Sequence, residues 1–172
     1  LLAVLLVALA PGRAAVLLLL PPVALEIYYG NIHLLMALVV VLGFRWPATW
    51  AFILLTKVTP GAGLAWFVAR RDWRSLGTAL GATALLAAAS FVIAPGLWSQ
   101  WLEQLASPSV VTPTWLAALL GPLWLRVPLA AAIAYLGGLV GWRWPVAVAV
   151  MLAVPSLWTG SLSVLVALVP LV

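Results

Sequence analysis

From Ser75 to Ala94 the chain runs twenty residues without one charged side chain. About 20 such residues cross the hydrocarbon core of a bilayer. The rest is nearly as apolar, with 8 Lys and Arg and 3 Asp and Glu among 172 residues, where a soluble domain carries about 25% charged residues. Hydrocarbon offers no partner to a backbone N–H or C=O, so only helices and closed barrels span it. Runs of Leu and Ala without strict alternation exclude the barrel. The expected fold is all-α, a polytopic transmembrane helical bundle with short broken or re-entrant helices. No low-complexity linker divides it, so residues 1–172 read as a single transmembrane domain.

Several chemistries are excluded early. There is no Cys, so disulfides and thiolate metal sites are absent. One His and three scattered acids make no metal ligand set, and no phosphate-cradling P-loop occurs. The net charge of +5 is spread along the chain, which in this setting is a topology signal and not a nucleic-acid stripe. The chain opens on Leu1 inside an apolar run, without the basic start of a signal peptide. It is therefore expected to be a fragment lacking the N-terminal part of a longer protein.

Proline, glycine and charge punctuate the helices. Leu1–Ala10 reads as a helix end broken by Pro11-Gly12-Arg13, and Ala14–Leu20 as a second helix stopped by Pro21-Pro22. After Gly30, Asn31 stands where an N-cap would, ahead of Ile32–Leu42. Pro47 is placed to open the next helix. Trp46–Ala69 has Arg45 at one end and Arg70, Arg71 and Arg74 at the other, so putting both clusters inside requires an in-and-out hairpin turning at Lys57–Gly61. Ser75–Ala94 is a full span whose Gly77 and Gly81 offer a close-packing face. Within Pro95–Pro113, Leu97, Trp98, Trp101, Leu102 and Leu105 recur at helical spacing opposite Ser99, Gln100, Glu103 and Gln104, which fits an interfacial helix. Thr114–Leu125, Pro128–Trp142, Pro145–Leu157 and Ser161–Val172 follow as helices. Arg126 and Arg143 leave their orientation open.

Few residues can carry chemistry. Lys57 is the only Lys, and an ammonium at membrane depth must snorkel to the interface or face a cavity, a partner or an anion. Its place in a helix break favours an anion, with amides freed by the break as further donors. Asn31 and His33 are either helix-end polar residues or the hydrogen-bonding rim of a cavity. Glu26 reads as an ion-pair partner for Lys57, a general base or an interfacial residue. Tyr28 and Tyr29 suit an aromatic belt.

Together, "PPVALEIYYGNIHLLMAL" and "RWPATWAFILLTKVTPGAGLAWFVARRDWRSL" resemble the polyprenol-phosphate-mannose-dependent mannosyltransferases of glycosyltransferase family 87, in the GT-C superfamily. The shared pattern is Gly30, Asn31 and His33 opening a helix, then Arg45, then Lys57 with Pro60, then the basic turn Arg70–Arg74. The resemblance implies a GT-C-like bundle without cofactor. It also implies transfer of a sugar, commonly mannose, from a polyprenyl-phosphate donor to a lipid-linked or cell-envelope acceptor at the extracytoplasmic face. Lys57 would meet the departing phosphate, with Asn31, His33, Glu26 and Thr59 around it, and Gly30, Pro60 and Gly61 as structural parts of the motif. The catalytic acid of such enzymes sits in an early extracytoplasmic loop and is assigned to none of these residues. Gly160, in Trp158–Ser161, stands where family members often carry His. The expected setting is a multi-pass protein of a prokaryotic cytoplasmic membrane, touching membrane lipids and no nucleic acid. The competing reading is a non-catalytic structural subunit packed against other membrane subunits, motivated by the glycine faces at Gly77/Gly81 and Gly137/Gly141.

Overall fold

The computed structural model describes residues 14–106 and 114–172, with the side chains of 14, 15 and 104–106 excepted. The expected helix over Leu1–Ala10, its break at Pro11–Arg13, the side chains of Gln104 and Leu105, and the polar stretch 107–113 lie outside that description. Among the described residues every element is helical. In order these are α1 (Ala14–Leu18), α2 (Pro21–Tyr29), α3 (His33–Gly43), α4 (Trp50–Thr56), α5 (Ala65–Ala69), α6 (Trp73–Ile93), α7 (Pro95–Ala106), α8 (Trp115–Leu120), α9 (Leu123–Val140), α10 (Pro145–Leu152) and α11 (Leu168–Leu171). Short 3-10 helices cover Pro47–Thr49, Thr59–Leu64 and Thr159–Ala167.

Two helices, α6 and α9, are long and apolar enough to cross a membrane, and α2 with α3 would be a third if the bent pair counts as one span. Helix α6 starts where Asp72 caps it, its carboxylate accepting the Ser75 N–H at 3.0 Å. Only Ala79 of its 21 residues is buried, so the helix presents Leu85, Phe91, Val92 and Ile93 outward. That surface suits hydrocarbon and not water. A Cβ built on Gly77 or Gly81 meets nothing within 4 Å, so the expected close-packing face is open here. Helix α7 forms where the helical spacing predicts it and folds back on α6, with Trp98 donating to the Ser90 hydroxyl at 3.1 Å.

Between α2 and α3 the axis turns by 109°. Gly30 makes the turn possible in the left-handed region (φ 65°), which costs a side-chain-bearing residue strain. Its N–H and that of Asn31 both turn back to the Glu26 carbonyl. Asn31 thus closes α2 and does not cap α3, whose N-cap is Ile32 without a side-chain bond. The expected N-cap is corrected for that reason.

The segment after α3 goes out and comes back, as the arginine placement requires. Phe44 meets Trp66 edge-on at 4.9 Å and Trp50 meets Phe67 at 6.4 Å, so the two ends are adjacent. Nearer the tip, Gly63 lies under the Trp50 ring and Gly61 against Leu54. The reversal occurs at Lys57, whose extended backbone (φ −149°, ψ 107°) ends α4.

Helix α9 packs against α5 and α10 and completes the core. Its start corrects the expected break at Pro128, which lies inside α9. The chain breaks instead at Gly121-Pro122, where Gly121 takes φ 85° and Pro122 cannot continue a helix. Helix α10 ends at Leu152, five residues earlier than expected, ahead of Pro155. The 3-10 helix Thr159–Ala167 begins two residues before the expected Ser161 and lies in the elbow of α2 and α3.

Gly138 lies against α5, where an added Cβ would come within 2.7 Å of the Trp66 carbonyl. Gly138→Ala is expected to destabilise by about 1–3 kcal/mol through overpacking. Gly77→Ala, in open space, should gain roughly 0.5–1 kcal/mol of helix propensity. Thermal unfolding of both variants in detergent checks the contrast.

Candidate functional site

The α2–α3 elbow brings together two side chains seven residues apart. His33 Nδ1 lies 2.9 and 2.8 Å from the two Glu26 carboxylate oxygens. Glu26 is 0% and His33 2% exposed, so the expectation of an interfacial Glu26 gives way to a buried pair. From the hairpin tip, Lys57 Nζ reaches His33 Nε2 at 3.1 Å. From the 3-10 helix in the elbow, Ser163 donates to Glu26 Oε2 at 3.4 Å, and the Ser161 hydroxyl lies 3.4 Å from His33 Nε2.

With Lys57 as an ammonium, which has donors only, Nε2 accepts from it and the ring hydrogen sits on Nδ1, facing the Glu26 carboxyl group. With Glu26 as a carboxylate the row is then carboxylate, neutral imidazole, ammonium, and its net charge is zero. A buried charge is tolerable in that form, paired and hydrogen-bonded at every contact. Glu26 therefore acts on Lys57 through His33 and not as a direct ion-pair partner.

Lys57 itself is half-buried, and only one of its three N–H donors is engaged among the described residues. The other motif residues divide. Thr59 donates to the Ala153 carbonyl at 2.6 Å and so anchors the hairpin tip to the loop after α10. Pro60 is buried and Gly61 packs on Leu54, both structural. Asn31 makes no side-chain hydrogen bond to the described residues, and the structure does not bring it into the cluster. Gly160 lies against the ring of Trp158, where any Cβ would collide with the indole.

Three residues of the site carry little signal in the sequence. Ser161 and Ser163 have none beyond lying in or near the Trp158–Ser161 motif. Arg126, which the sequence places between two helices, is buried with its guanidinium on main-chain carbonyls. Arg143 instead joins the other basic residues, stacking over Phe44 at 5.3 Å beside Arg70 over Trp66 and Arg45 over Trp46. That basic-aromatic end lies past the C-terminus of α3, whereas His33 is the first residue of the same helix. Beside the hairpin tip runs an apolar groove of about 590 Å³, lined by Leu54, Leu55, Leu86, Leu97, Trp98 and Trp101 among others. Among the described residues no group of three His, Cys, Asp or Glu could hold a metal.

The sequence model of glycosyltransferase family 87 matches residues 1–169, well beyond the motif region. The chain belongs to glycosyltransferase family 87. Neither the curated proteins nor the solved structures returned a match. As a member of glycosyltransferase family 87, the protein is a membrane glycosyltransferase, working on a sugar donor and an acceptor. Its buried ion row is the chemical feature that this membership brings into focus.

Removing His33 leaves a buried carboxylate with only the long contact from the Ser163 hydroxyl. His33→Ala is expected to cost about 3–5 kcal/mol, and adding Glu26→Gln should recover part of that loss, because the stranded charge is gone. Unfolding of the single and double variants in detergent measures both.

Proposed function

We propose that this glycosyltransferase moves mannose from a polyprenyl-phosphate donor to a lipid-linked or cell-envelope acceptor at the extracytoplasmic face of a prokaryotic cytoplasmic membrane. The observation that carries the reading is Lys57, held by the Glu26–His33 pair at a hairpin tip with donors to spare. The acceptor hydroxyl oxygen bonds the anomeric carbon as the anomeric C–O bond to phosphate breaks, the hydroxyl proton passes to the acidic residue that the family resemblance implies in an early extracytoplasmic loop, and negative charge develops on the departing lipid phosphate. A fixed ammonium in a low-dielectric site stabilises that charge without reorganising. His33 aims the ammonium, and Glu26 sets the imidazole tautomer. Glu26 is fully buried and committed to His33, which favours this orienting role over service as the base.

Two further features support the reading. The groove lined by Leu54, Leu86 and Trp98 gives a polyprenyl chain an apolar track toward the hairpin tip. Arg45, Arg70 and Arg143 collect on the aromatic residues past the opposite end of α3, about 16 Å away for its 11 residues. Basic residues favour the cytoplasmic side, which turns Lys57 and the elbow toward the extracytoplasmic side of a multi-pass bundle.

The full-length protein in proteoliposomes, supplied with polyprenyl-phosphate-mannose, should transfer mannose, whereas a nucleotide sugar should not serve. Lys57→Ala should lower turnover by roughly 10²–10³-fold, the usual loss for one such donor. Wild-type turnover in that variant would remove Lys57 from the phosphate.

A further inference from the structure

Arg126 lies in the first turn of α9 and is 2% exposed. Its guanidinium donates to main-chain carbonyls. Nε donates to Gly121 O at 2.9 Å, Nη1 to Leu152 O and Val154 O at 2.9 Å each, and Nη2 to Pro155 O at 3.3 Å. Gly121 closes α8 and Leu152 ends α10, so the cation meets orphan carbonyls at two helix C-termini, the negative ends of their dipoles.

The carbonyls that Arg126 holds belong to the loop on which the cluster rests. Leu152 and Val154 flank Ala153, whose carbonyl takes the Thr59 hydroxyl two residues from Lys57. Further along, Ser156 O accepts from Ser161, the residue beside His33, and Leu157 O accepts from Thr114. One loop is therefore gripped by Arg126 on one side. On its other side it bears the contacts of Thr59 and Ser161, which set the Lys57 tip and the His33 surroundings.

We propose that Arg126 is a positioning residue for sugar transfer, fixing the Leu152–Leu157 loop so that Thr59 and Ser161 hold Lys57 against His33. This rests on Lys57 as the phosphate contact. A planar fork with five donors suits four carbonyls in this arrangement, and a lysine in its place cannot reach them together.

The test reads Lys57 directly, without turnover. In the full-length protein, Lys57 is acylated with an amine-reactive reagent and followed by mass spectrometry of its peptide, with Gly77→Ala as the matched control. Arg126→Lys and Thr59→Val should each speed acylation of Lys57 about 2- to 10-fold, the range that a lost hydrogen bond covers. The double variant should not exceed the larger single effect, because both substitutions release one segment. In the transfer assay, kcat should fall in the same variants with KM for the donor little changed. A folded, monodisperse Arg126→Lys protein with wild-type acylation and wild-type kcat overturns the proposal. Additive effects in the double variant overturn it as well. Should Arg126→Lys fail to fold, Thr59→Val decides, and unchanged acylation there is fatal. Absence of mannose transfer by the wild type, with acylation responding as stated, would instead overturn the donor assignment.

Discussion

The contact on which the architecture turns is His33 between Glu26 and Lys57. An ammonium and a carboxylate inside an apolar bundle are each expensive, and neither touches the other directly. The imidazole joins them by donating from one nitrogen and accepting at the other, so one neutral ring settles both charges. Everything around it serves that placement. The Gly30 elbow puts Glu26 and His33 on one side, the hairpin delivers Lys57, and the last 3-10 helix supplies two hydroxyls. A charge row with net zero can stay buried, yet its outer end keeps donors available to an anion.

A second arrangement supports the first. The loop after α10 has no regular structure, and its carbonyls would be unsatisfied if buried alone. Arg126, Thr59 and Thr114 take them up from three different elements. In a membrane bundle irregular backbone survives only where protein or water meets its polar groups. The loop is thus both a cost met by side chains and the place where hairpin, elbow and α9 are tied together.

Much of this is legible in the chain itself. Lys57 in a helix break, the hairpin between two arginine clusters, and the full-length helix over Ser75–Ala94 follow from charge counts and apolar length. The family pattern joins Gly30, His33 and Lys57 at the level of membership. Less legible are the local choices. Asn31 has the composition of an N-cap, but a left-handed Gly30 draws its N–H back into α2. Pro128 has the look of a helix start, yet the Gly121-Pro122 pair breaks the chain first. Gly77 and Gly81 are spaced for a packing partner, and the described chain brings none to them.

Composition and spacing by themselves determined that the chain is a helical membrane bundle and that its few polar residues should avoid lipid, because hydrocarbon leaves the backbone no other satisfied form. They could not say which polar residues meet. Glu26 and Ser163 lie 137 positions apart, Lys57 and His33 24. Such pairings depend on turns whose geometry is set by packing, and a one-residue change in a helix start rotates a side chain by about 100° (3.6 residues per turn). Tertiary structure alone turned Glu26 inward, made Arg126 a clamp and not a loop charge, and gave the lone lysine its histidine.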